Sequence, residues 1–185
     1  MYKDLDELEL ARFCRERDRS AEDELYTRYA ARLLTLCRRY LGDPDDAKDA
    51  MQDAVIKALD RISSFKYSGK GSLYAWLSKV TLNTAIDKLR RKRLKYISLD
   101  VPQINSIPEP PEERTATIPR ETLLGMISEL PDMRRAVFNL YCIDGYSHKE
   151  ISKMLGISEK GSSSELAKAR NQLKTAINEY LNASE

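Results

Sequence analysis

Histidine, cysteine and glycine are scarce in this 185-residue sequence. It has one histidine, His148, three cysteines and seven glycines. The cysteines, at positions 14, 37 and 142, are odd in number and widely spaced, so the sequence predicts neither a disulfide framework nor a zinc site. A single histidine and the lack of a convincing pair of carboxylates give hydrolytic or metal-dependent chemistry little support. We therefore expect no enzymatic activity, no cofactor and no metal.

Long apolar runs are also missing. No stretch approaches the length of a membrane span, and the first ten residues, MYKDLDELEL, are acidic and amphipathic, unlike a secretory signal peptide. We expect no membrane insertion, and the unpaired cysteines fit a reducing cytoplasm. Hydrophobic residues make up 42% of the chain, enough for hydrophobic cores, and 32% charged residues with few glycines and prolines indicate helices with charged surfaces.

The net charge of +2 conceals a strong segregation of charge along the chain. Residues 1–60 carry −4, residues 61–95 carry +9, residues 96–132 carry −5 and residues 133–185 carry +2. In the basic segment, ten lysines and arginines accompany a single acid, Asp87. Alternating charge of this kind indicates surfaces that serve different partners.

The basic segment contains a glycine-bearing loop and a predicted helix that ends in a run of lysines and arginines. Gly69 and Gly71 leave the loop free of side chains, and Ser72 is expected to cap the helix. Four polar residues share one helix face, and four aromatic residues lie nearby. The polar residues are Lys79, Asn83, Asp87 and Arg90, and the aromatic ones are Phe65, Tyr67, Tyr74 and Trp76. This surface suits phosphates and bases, but a solvated helix end, whose cations favour the negative pole of the dipole, has the same pattern.

Helical periodicity covers the first sixty residues. A short opening helix is predicted from Leu5, Leu8, Ala11 and Phe13, and a second helix covers residues 23–40. Asp43 and Pro44 are typical of an N-cap and a first helical position, and they begin a helix that reaches about residue 62. Its apolar stripe is Ala47, Met51, Ala54, Ala58 and Ile62, and its exposed stripe is Asp46, Asp49, Gln52 and Asp53. The helix dipole explains the early acids but not Asp53, which leaves a protein-binding face open.

The rest of the chain divides at a proline-rich segment. Residues 98–119 contain five of the seven prolines and predict an extended linker. After it, one helix ends at Pro131, and a second, capped by Asp132, buries Ala136, Val137, Leu140 and Tyr141. A capping box at Ser147 and Glu150, a turn at Gly156 and a long last helix capped by Ser158 are typical of a helix-turn-helix, although a plain helical bundle gives the same pattern.

Together these segments resemble a known family. They are LYTRYAARLLTLCRRYLGDPDDAKDAMQDAVIKALDRI, GSLYAWLSKVTLNTAIDKLRRKR and, beyond the proline-rich gap, ELPDMRRAVFNLYCIDGYSHKEISKMLGIS. In this order they are similar to the extracytoplasmic-function (ECF) group of sigma-70 family transcription initiation factors. The resemblance implies an all-α chain with a region 2-like bundle over residues 1–97, a linker over 98–119 and a region 4-like helix-turn-helix over 120–185.

The resemblance also assigns functional residues. The first domain would bind core RNA polymerase and open the promoter at its −10 element, and the second would bind the −35 element. Polymerase contacts would come from Asp46, Asp49, Gln52 and Asp53. The −10 contacts would come from Ser68, Gly69, Lys70, Gly71, Lys79, Asn83, Asp87, Arg90, Arg91 and Arg93, with Lys92 and Lys95 also on phosphates. The −35 contacts would come from His148, Lys149, Ser162, Ser163, Glu165, Lys168 and Arg170.

One segment departs from the family pattern. The expected glycine is shifted to Gly161, and Ser163 and Glu165 stand where basic or amide residues are usual. A glutamate carboxylate can accept a hydrogen bond from cytosine, but it repels the DNA phosphates. For Trp76 we expect a place in the core, since it lies at helical spacing from Val80.

The implied partners are core RNA polymerase, duplex and melted promoter DNA, and an anti-sigma factor, with no small-molecule substrate. Two rival functions are a stand-alone helix-turn-helix regulator that never engages polymerase, and a decoy that only titrates another regulator.

Overall fold

The computed structural model describes residues 2–95 and 117–183, with side chains up to residue 92 in the first range. Every regular element in these ranges is helical, which confirms the all-α prediction. The chain divides into two compact units, Met1–Lys88 and Leu89–Glu185. Most of the predicted linker, residues 98–116, lies outside the described residues. No helix within the described ranges is long and apolar enough to cross a membrane.

The first unit is built from helices joined by short turns. They are α1 (Glu7–Arg15), α2 (Arg19–Tyr40), α3 (Pro44–Asp60), a 3-10 turn (Ile62–Ser64) and α4 (Ser72–Lys95), which continues beyond the unit. Asp43 accepts the backbone N–H groups of Asp45 and Asp46 just ahead of Pro44, so the predicted N-cap of α3 is confirmed. Asp18 caps α2 by accepting the N–H of Ala21, and a hydrogen bond from the Tyr2 hydroxyl helps to lower the pKa of Asp18.

The core of the first unit lies between α2 and α3. All five residues of the predicted α3 stripe are buried. The small alanines of that stripe let the two helices approach closely, and the larger side chains come from α2. The buried residues of α2 are Ala21, Leu25, Tyr29, Leu33, Cys37 and Tyr40. The predicted opening helix is α1, and of the apolar residues that predicted it Ala11 is buried and Leu8 is exposed. Its other buried residues are Leu10 and Cys14.

Helix α4 buries two threonines beside its leucines. The hydroxyl of Thr81 donates to the carbonyl of Leu77 at 2.8 Å, and that of Thr84 donates to the carbonyl of Val80 at 2.9 Å. Both hydroxyls are therefore satisfied within the helix, and their burial leaves no unpaired donor.

The second unit contains α5 (Arg120–Ser128), α6 (Asp132–Phe138), a π-helical turn (Asn139–Ile143), α7 (His148–Leu155) and α8 (Glu159–Ala183). Its core lies where α8 packs against α6 and α7. The buried apolar residues include Leu130, Ala136, Val137, Leu140, Ile151, Leu155, Leu166 and Ala169.

Two predictions in the second unit need correction. Asp132 is the first residue of α6 rather than its cap, and its carboxylate accepts a hydrogen bond from Arg135 at 2.6 Å. Tyr141 was predicted to be buried, but its side chain is exposed. The reason is the π-helical turn, which breaks the 3.6-residue period after α6 and carries Tyr141 out of the apolar stripe.

The predicted helix-turn-helix features are all present. Ser147 and Glu150 form the complete capping box at the start of α7. Gly156 ends that helix with φ of +66°, a left-handed conformation that favours glycine. Ser158 accepts the N–H of Gly161 at 2.9 Å and so caps α8.

Candidate polymerase and DNA interfaces

The acidic stripe lies along α3. Asp49, Gln52 and Asp53 are exposed, and Asp46 is half-buried. Lys88 reaches from α4 and lies 3.1 Å from Asp46 and 3.4 Å from Asp49. Burial opposes the charge of Lys88, but the hydrogen bonds and charges of the two aspartates raise its pKa overall. Part of the acidic charge is thus neutralised within the unit, and the exposed remainder faces solvent.

Sequence reasoning missed Ile56 in this stripe. It is an exposed apolar residue, with 60% of its surface accessible. Its position, four residues after Gln52 and three after Asp53, places it on their face of the helix. A single exposed isoleucine is common, but one surrounded by acids at helical spacing is also what a protein-binding anchor requires. The signal in the sequence was the spacing of Ile56 from Gln52 and Asp53, which places it among the polar residues of α3 and not in the apolar stripe.

The loop ahead of α4 depends on two glycines with positive φ. Gly69 has φ of +117° and Gly71 has φ of +91°, conformations that other residues rarely adopt. Ser68 and Lys70 are exposed beside them.

The predicted cap of α4 was wrong. Ser72 is the first residue of the helix, and its hydroxyl accepts the N–H of Ser68 at 3.3 Å. The carboxylate of Glu7 takes the capping role instead, because its Oε2 accepts the N–H of Gly71 at 2.8 Å and that of Leu73 at 3.1 Å.

A pocket of about 650 Å³ lies beside the loop. Its walls include tyrosines and arginines from α2, the loop and α4: Arg28, Tyr29, Arg32, Tyr67, Lys70 and Tyr74. The rings of Tyr29 and Tyr74 are stacked, with centroids 6.1 Å apart and an interplanar angle of 21°. The guanidinium of Arg32 lies 3.5 Å from the centroid of the Tyr74 ring, in cation–π geometry.

Two of the pocket residues are fixed by internal contacts. Arg28 donates to the Leu5 carbonyl at 2.9 Å and pairs with Glu24 at 2.9 Å. Tyr29 donates its hydroxyl to Glu7 at 3.1 Å. Burial, and then the negative charge of Glu7, raises the pKa of Tyr29 to about 12, so that the phenol is neutral at physiological pH.

The polar face of α4 is accessible from Lys79 to Arg91. Lys79, Asn83, Arg90 and Arg91 are exposed, and Asp87 is half-exposed. The side chains of Arg93 and Lys95 lie outside the described residues.

Trp76 is half-buried rather than wholly in the core. Its ring lies against the buried Phe65, with centroids 5.6 Å apart. The core role expected for Trp76 therefore holds for part of its surface.

The helix-turn-helix brings only some of its predicted residues to the surface. Lys149, Ser163 and Arg170 are exposed. Ser162 is fully buried, and its hydroxyl lies 2.9 Å from Nδ1 of His148. The structure thus corrects the expected placement of Ser162 on the outer side of α8. The physical reason is the 100° step between neighbouring helix positions, which points Ser162 with Leu166 and Ala169 into the unit.

His148 and Glu165 are each held by neighbours. The His148 ring stacks on Tyr141, with centroids 4.5 Å apart and an interplanar angle of 22°. Glu165 lies 3.0 Å from Lys168 and 3.5 Å from Arg134. The negative charge that departs from the family pattern is therefore paired within the unit, which reduces its repulsion of DNA phosphate.

No group of histidine, cysteine, aspartate and glutamate side chains in the described ranges could hold a metal ion. The accessible chemistry is instead that of a nucleic-acid-binding protein: a basic loop and helix in one unit and a helix-turn-helix in the other. These features define the class as a helical DNA-binding factor.

Comparison with known proteins gives the family. The Sigma-70 region 2 family matches residues 25–95, and the Sigma-70, region 4 family matches residues 120–173. The ECF RNA polymerase sigma factor SigM of Mycobacterium tuberculosis is 32% identical over 168 residues, which cover 89% of this chain and 81% of that protein. SigM of Bacillus subtilis is 30% identical over 162 residues, which cover 86% of this chain and 97% of that protein.

A solved structure also matches, that of the sigma factor RpoE in complex with the anti-sigma factor NepR from Bartonella quintana. It is 18% identical, with a TM-score of 0.48, over 84% of this chain and 96% of that chain. At this score the likeness adds nothing to the family assignment.

The chain belongs to the sigma-70 family of RNA polymerase sigma factors, in its ECF group. As a sigma factor it binds core RNA polymerase and promoter DNA and directs promoter-specific initiation of transcription. Sigma factors are initiation factors rather than enzymes. The stand-alone regulator is accordingly not favoured.

Proposed function

We propose that three described surfaces divide the work of initiation. The exposed stripe of α3 binds core RNA polymerase, the loop and polar face of α4 bind and open the −10 element, and α7 with α8 binds the −35 element. The observation that carries this division is the pocket beside the glycine loop, which adjoins the basic helix and is lined by stacked tyrosines and arginines.

The pocket suits an extruded base. Removing a base from the stack costs on the order of a few kcal/mol, and stacking on an aromatic ring returns about 1–3 kcal/mol. The pocket of about 650 Å³ falls within the range of small-ligand sites, about 300–1,000 Å³. Tyr67, with 41% of its surface accessible, offers a ring to the incoming base. The backbone next to the glycines can approach the strand closely because no side chain intervenes.

The polar face of α4 reads the base sequence and binds the phosphate backbone. The exposed amide of Asn83 can both donate to and accept from a base edge. Arg90, Arg91, Arg93 and Lys95 hold phosphates, a contribution that is strong but independent of sequence. Lys79 and Asp87 flank Asn83 on the same face and complete the set proposed for the opened strand.

In the second unit, the outward residues of α7 and α8 contact duplex DNA. Ser163 and Arg170 face the groove of the DNA, and Lys149 binds a backbone phosphate. In this proposal Ser162 acts from beneath, with its hydroxyl donating to Nδ1 of His148, 2.9 Å away. In that tautomer Nε2 carries the ring proton and donates to a phosphate. Glu165 and Lys168, paired with each other, border this surface.

The proposed boundaries follow the sequence: a polymerase-binding and −10 domain over residues 1–97, a linker over 98–119 and a −35 domain over 120–185. The family matches at residues 25–95 and 120–173 support them. We further propose a cytoplasmic, non-enzymatic protein without a cofactor. An anti-sigma factor, implied by the ECF assignment, is its proposed regulatory partner.

The test is in vitro transcription. The purified chain is mixed with core RNA polymerase and a library of promoter fragments, and the 5′ ends of the transcripts are sequenced. Discrete start sites that share two spaced upstream motifs are expected. A stable complex with polymerase that yields transcripts without a shared −10 motif would contradict the proposed role of the loop and α4.

A further inference from the structure

One short helix holds both ends of the glycine loop. At the α4 end, Oε2 of Glu7 accepts the N–H groups of Gly71 and Leu73, at 2.8 and 3.1 Å. At the other end, Arg15 donates to the carbonyl of Phe65 at 2.6 Å and to the carbonyl of Ile62 at 3.3 Å. Glu7 and Arg15 are the first and last residues of α1. The loop between these anchors is residues 66–70.

The charges of the two anchors match the groups they bind. The N–H groups at the start of α4 carry partial positive charge, and Glu7 supplies an acidic side chain to accept from them. The carbonyl oxygens of Ile62 and Phe65 carry partial negative charge, and Arg15 is a cation. Hydrogen bonds to charged groups are stronger than neutral ones, so each end of the loop is firmly held.

The carboxylate of Glu7 is itself fixed by the pocket wall. Tyr29 donates to its Oε1 at 3.1 Å, and Tyr29 stacks on Tyr74 in the first turn of α4. The anchor, the pocket wall and the start of α4 therefore form one connected set of contacts. Gly69 and Gly71, which would otherwise allow many loop shapes, lie inside this frame.

Glu7 also changes what can bind at the start of α4. A helix N-terminus with free N–H groups is a ready anion site. Because Oε2 of Glu7 accepts the N–H groups of Gly71 and Leu73, neither group is available to a DNA phosphate. The neighbouring pocket, lined by Tyr67 and Tyr74, remains open to a base.

We propose that α1 is a positioning element for −10 recognition. Glu7 and Arg15 hold the loop in the shape that receives the extruded base, and discrimination between −10 sequences depends on them. Helix α1 lies outside residues 25–95, the segment matched by Sigma-70 region 2, so that match gives it no role. The inference rests on the proposed function of the loop.

The test compares open-complex formation on the preferred −10 element with that on single-base variants. The variants of the full chain are Glu7→Ala, Glu7→Gln and Arg15→Ala, with Glu9→Gln as the control because Glu9 is an exposed acid of the same helix. Glu7→Ala and Arg15→Ala are expected to reduce the discrimination ratio by about tenfold, the lower range for losing hydrogen bonds to a charged group. Glu7→Gln should retain part of it because its amide oxygen still accepts. Polymerase affinity should stay unchanged in all four.

A second measurement separates positioning from folding. Amide hydrogen exchange at Gly71 and Leu73 in the isolated chain should be faster in Glu7→Ala, intermediate in Glu7→Gln and unchanged in Glu9→Gln. Unchanged exchange together with full −10 discrimination in Glu7→Ala would overturn the inference. If Glu7→Ala fails to fold, the other two variants decide. Wild-type hydrogen exchange and wild-type −10 discrimination in both Glu7→Gln and Arg15→Ala would overturn the inference. Failure of the proposed function looks different, since the wild-type chain itself would then ignore the −10 sequence.

Discussion

The three cysteine thiols differ sharply in accessibility. Cys14 and Cys37 are fully buried, and Cys142 is exposed. Burial raises the pKa of Cys14 to about 11 and that of Cys37 to about 12. We expect one thiol to react with a disulfide reagent at pH 8 in the native protein and three in denaturant, since only thiolates at the surface react.

The same thiols predict a loss of stability in alkali. Their folded-state pKa values lie above the unfolded ones, so their contribution is complete below the ordinary thiol pKa and is lost as pH rises towards 11–12. If two or more thiols of the native protein react as fast as the exposed Cys142, then Cys14 in α1 and Cys37 in α2 are not buried as described.

Asn83 is the residue whose replacement best tests base reading by α4. Asn83→Ala should lower open-complex formation by roughly 5- to 150-fold, because a specific contact to a base edge contributes about 1–3 kcal/mol. Polymerase affinity and melting temperature should not change, since the side chain is exposed. Asn182→Ala, an exposed asparagine near the end of α8, is the matched control. Equal loss of open complexes and of polymerase binding would remove the role given to Asn83.

Residue by residue, the sequence predicted local contacts and missed distant ones. Asp43, Ser147 and Ser158 cap helices two or three residues away, and all three were predicted correctly. Glu7 caps a helix 64 residues away, and no spacing rule reaches that far. Ser162 was misplaced for a different reason, because it lies four residues before Leu166 and so shares the buried side of α8, which its polar character hid.

Among the elements, α3 carries the face that we propose binds core polymerase. Ile56→Ser should weaken binding to core polymerase by about 1–2 kcal/mol, in the range of a moderate interface anchor. The fold should be unaffected because 60% of Ile56 is already exposed. The measurement is polymerase affinity by fluorescence anisotropy of the labelled chain, with Leu8→Ser, another exposed apolar residue, as control. Identical affinities for the two variants would place the interface elsewhere.

Helix α7 depends on its capping box. Ser147→Ala should cost the second unit about 1 kcal/mol of unfolding free energy, the usual effect of losing an N-cap. Hydrogen bonds from the Ser147 hydroxyl and backbone lower the pKa of Glu150. Because the folded-state pKa is depressed, this contribution is present above the ordinary glutamate pKa and is lost as pH falls through the folded value.

Thermal melts followed by circular dichroism test the capping box. The melting temperature of the wild type should fall more between pH 6 and pH 3 than that of Glu150→Gln, which cannot titrate. Parallel pH profiles for the two proteins would show that the box contributes nothing through charge.

The order of the helical segments followed from periodicity. The buried side of each helix was predicted well for some helices and poorly for others. In α3, alanines and Met51 mark the buried side clearly, and every predicted residue is buried. In α1, apolar and charged residues alternate, and the inward side was decided by packing on α2. The π-helical turn at Asn139–Ile143 was not predicted, because a change of period inside an apolar stretch leaves no mark in composition.

At the scale of the whole molecule, charge separates the tasks. Residues 1–60 are acidic and residues 61–95 are strongly basic. DNA attracts the basic segment and repels the acidic one, so the acidic stripe is suited to a protein partner and the basic loop and helix are suited to the promoter. A regulator that binds only duplex DNA has no use for the stripe, whereas the function proposed above uses it to bind core polymerase.

Reversing the stripe therefore tests the whole assignment. Asp49→Lys with Asp53→Lys should lower polymerase affinity by more than about tenfold, through like-charge repulsion and loss of steering. Transcription should fall with it, while binding of the chain to duplex DNA should be retained. The fold should persist because the Asp49 side chain is 67% exposed and its pair with Lys88 is a surface one. Asp4→Lys with Asp23→Lys makes the same charge change at exposed acids outside the stripe and should leave polymerase affinity nearly unchanged. If both double variants lose polymerase equally, net charge and not the α3 stripe controls binding.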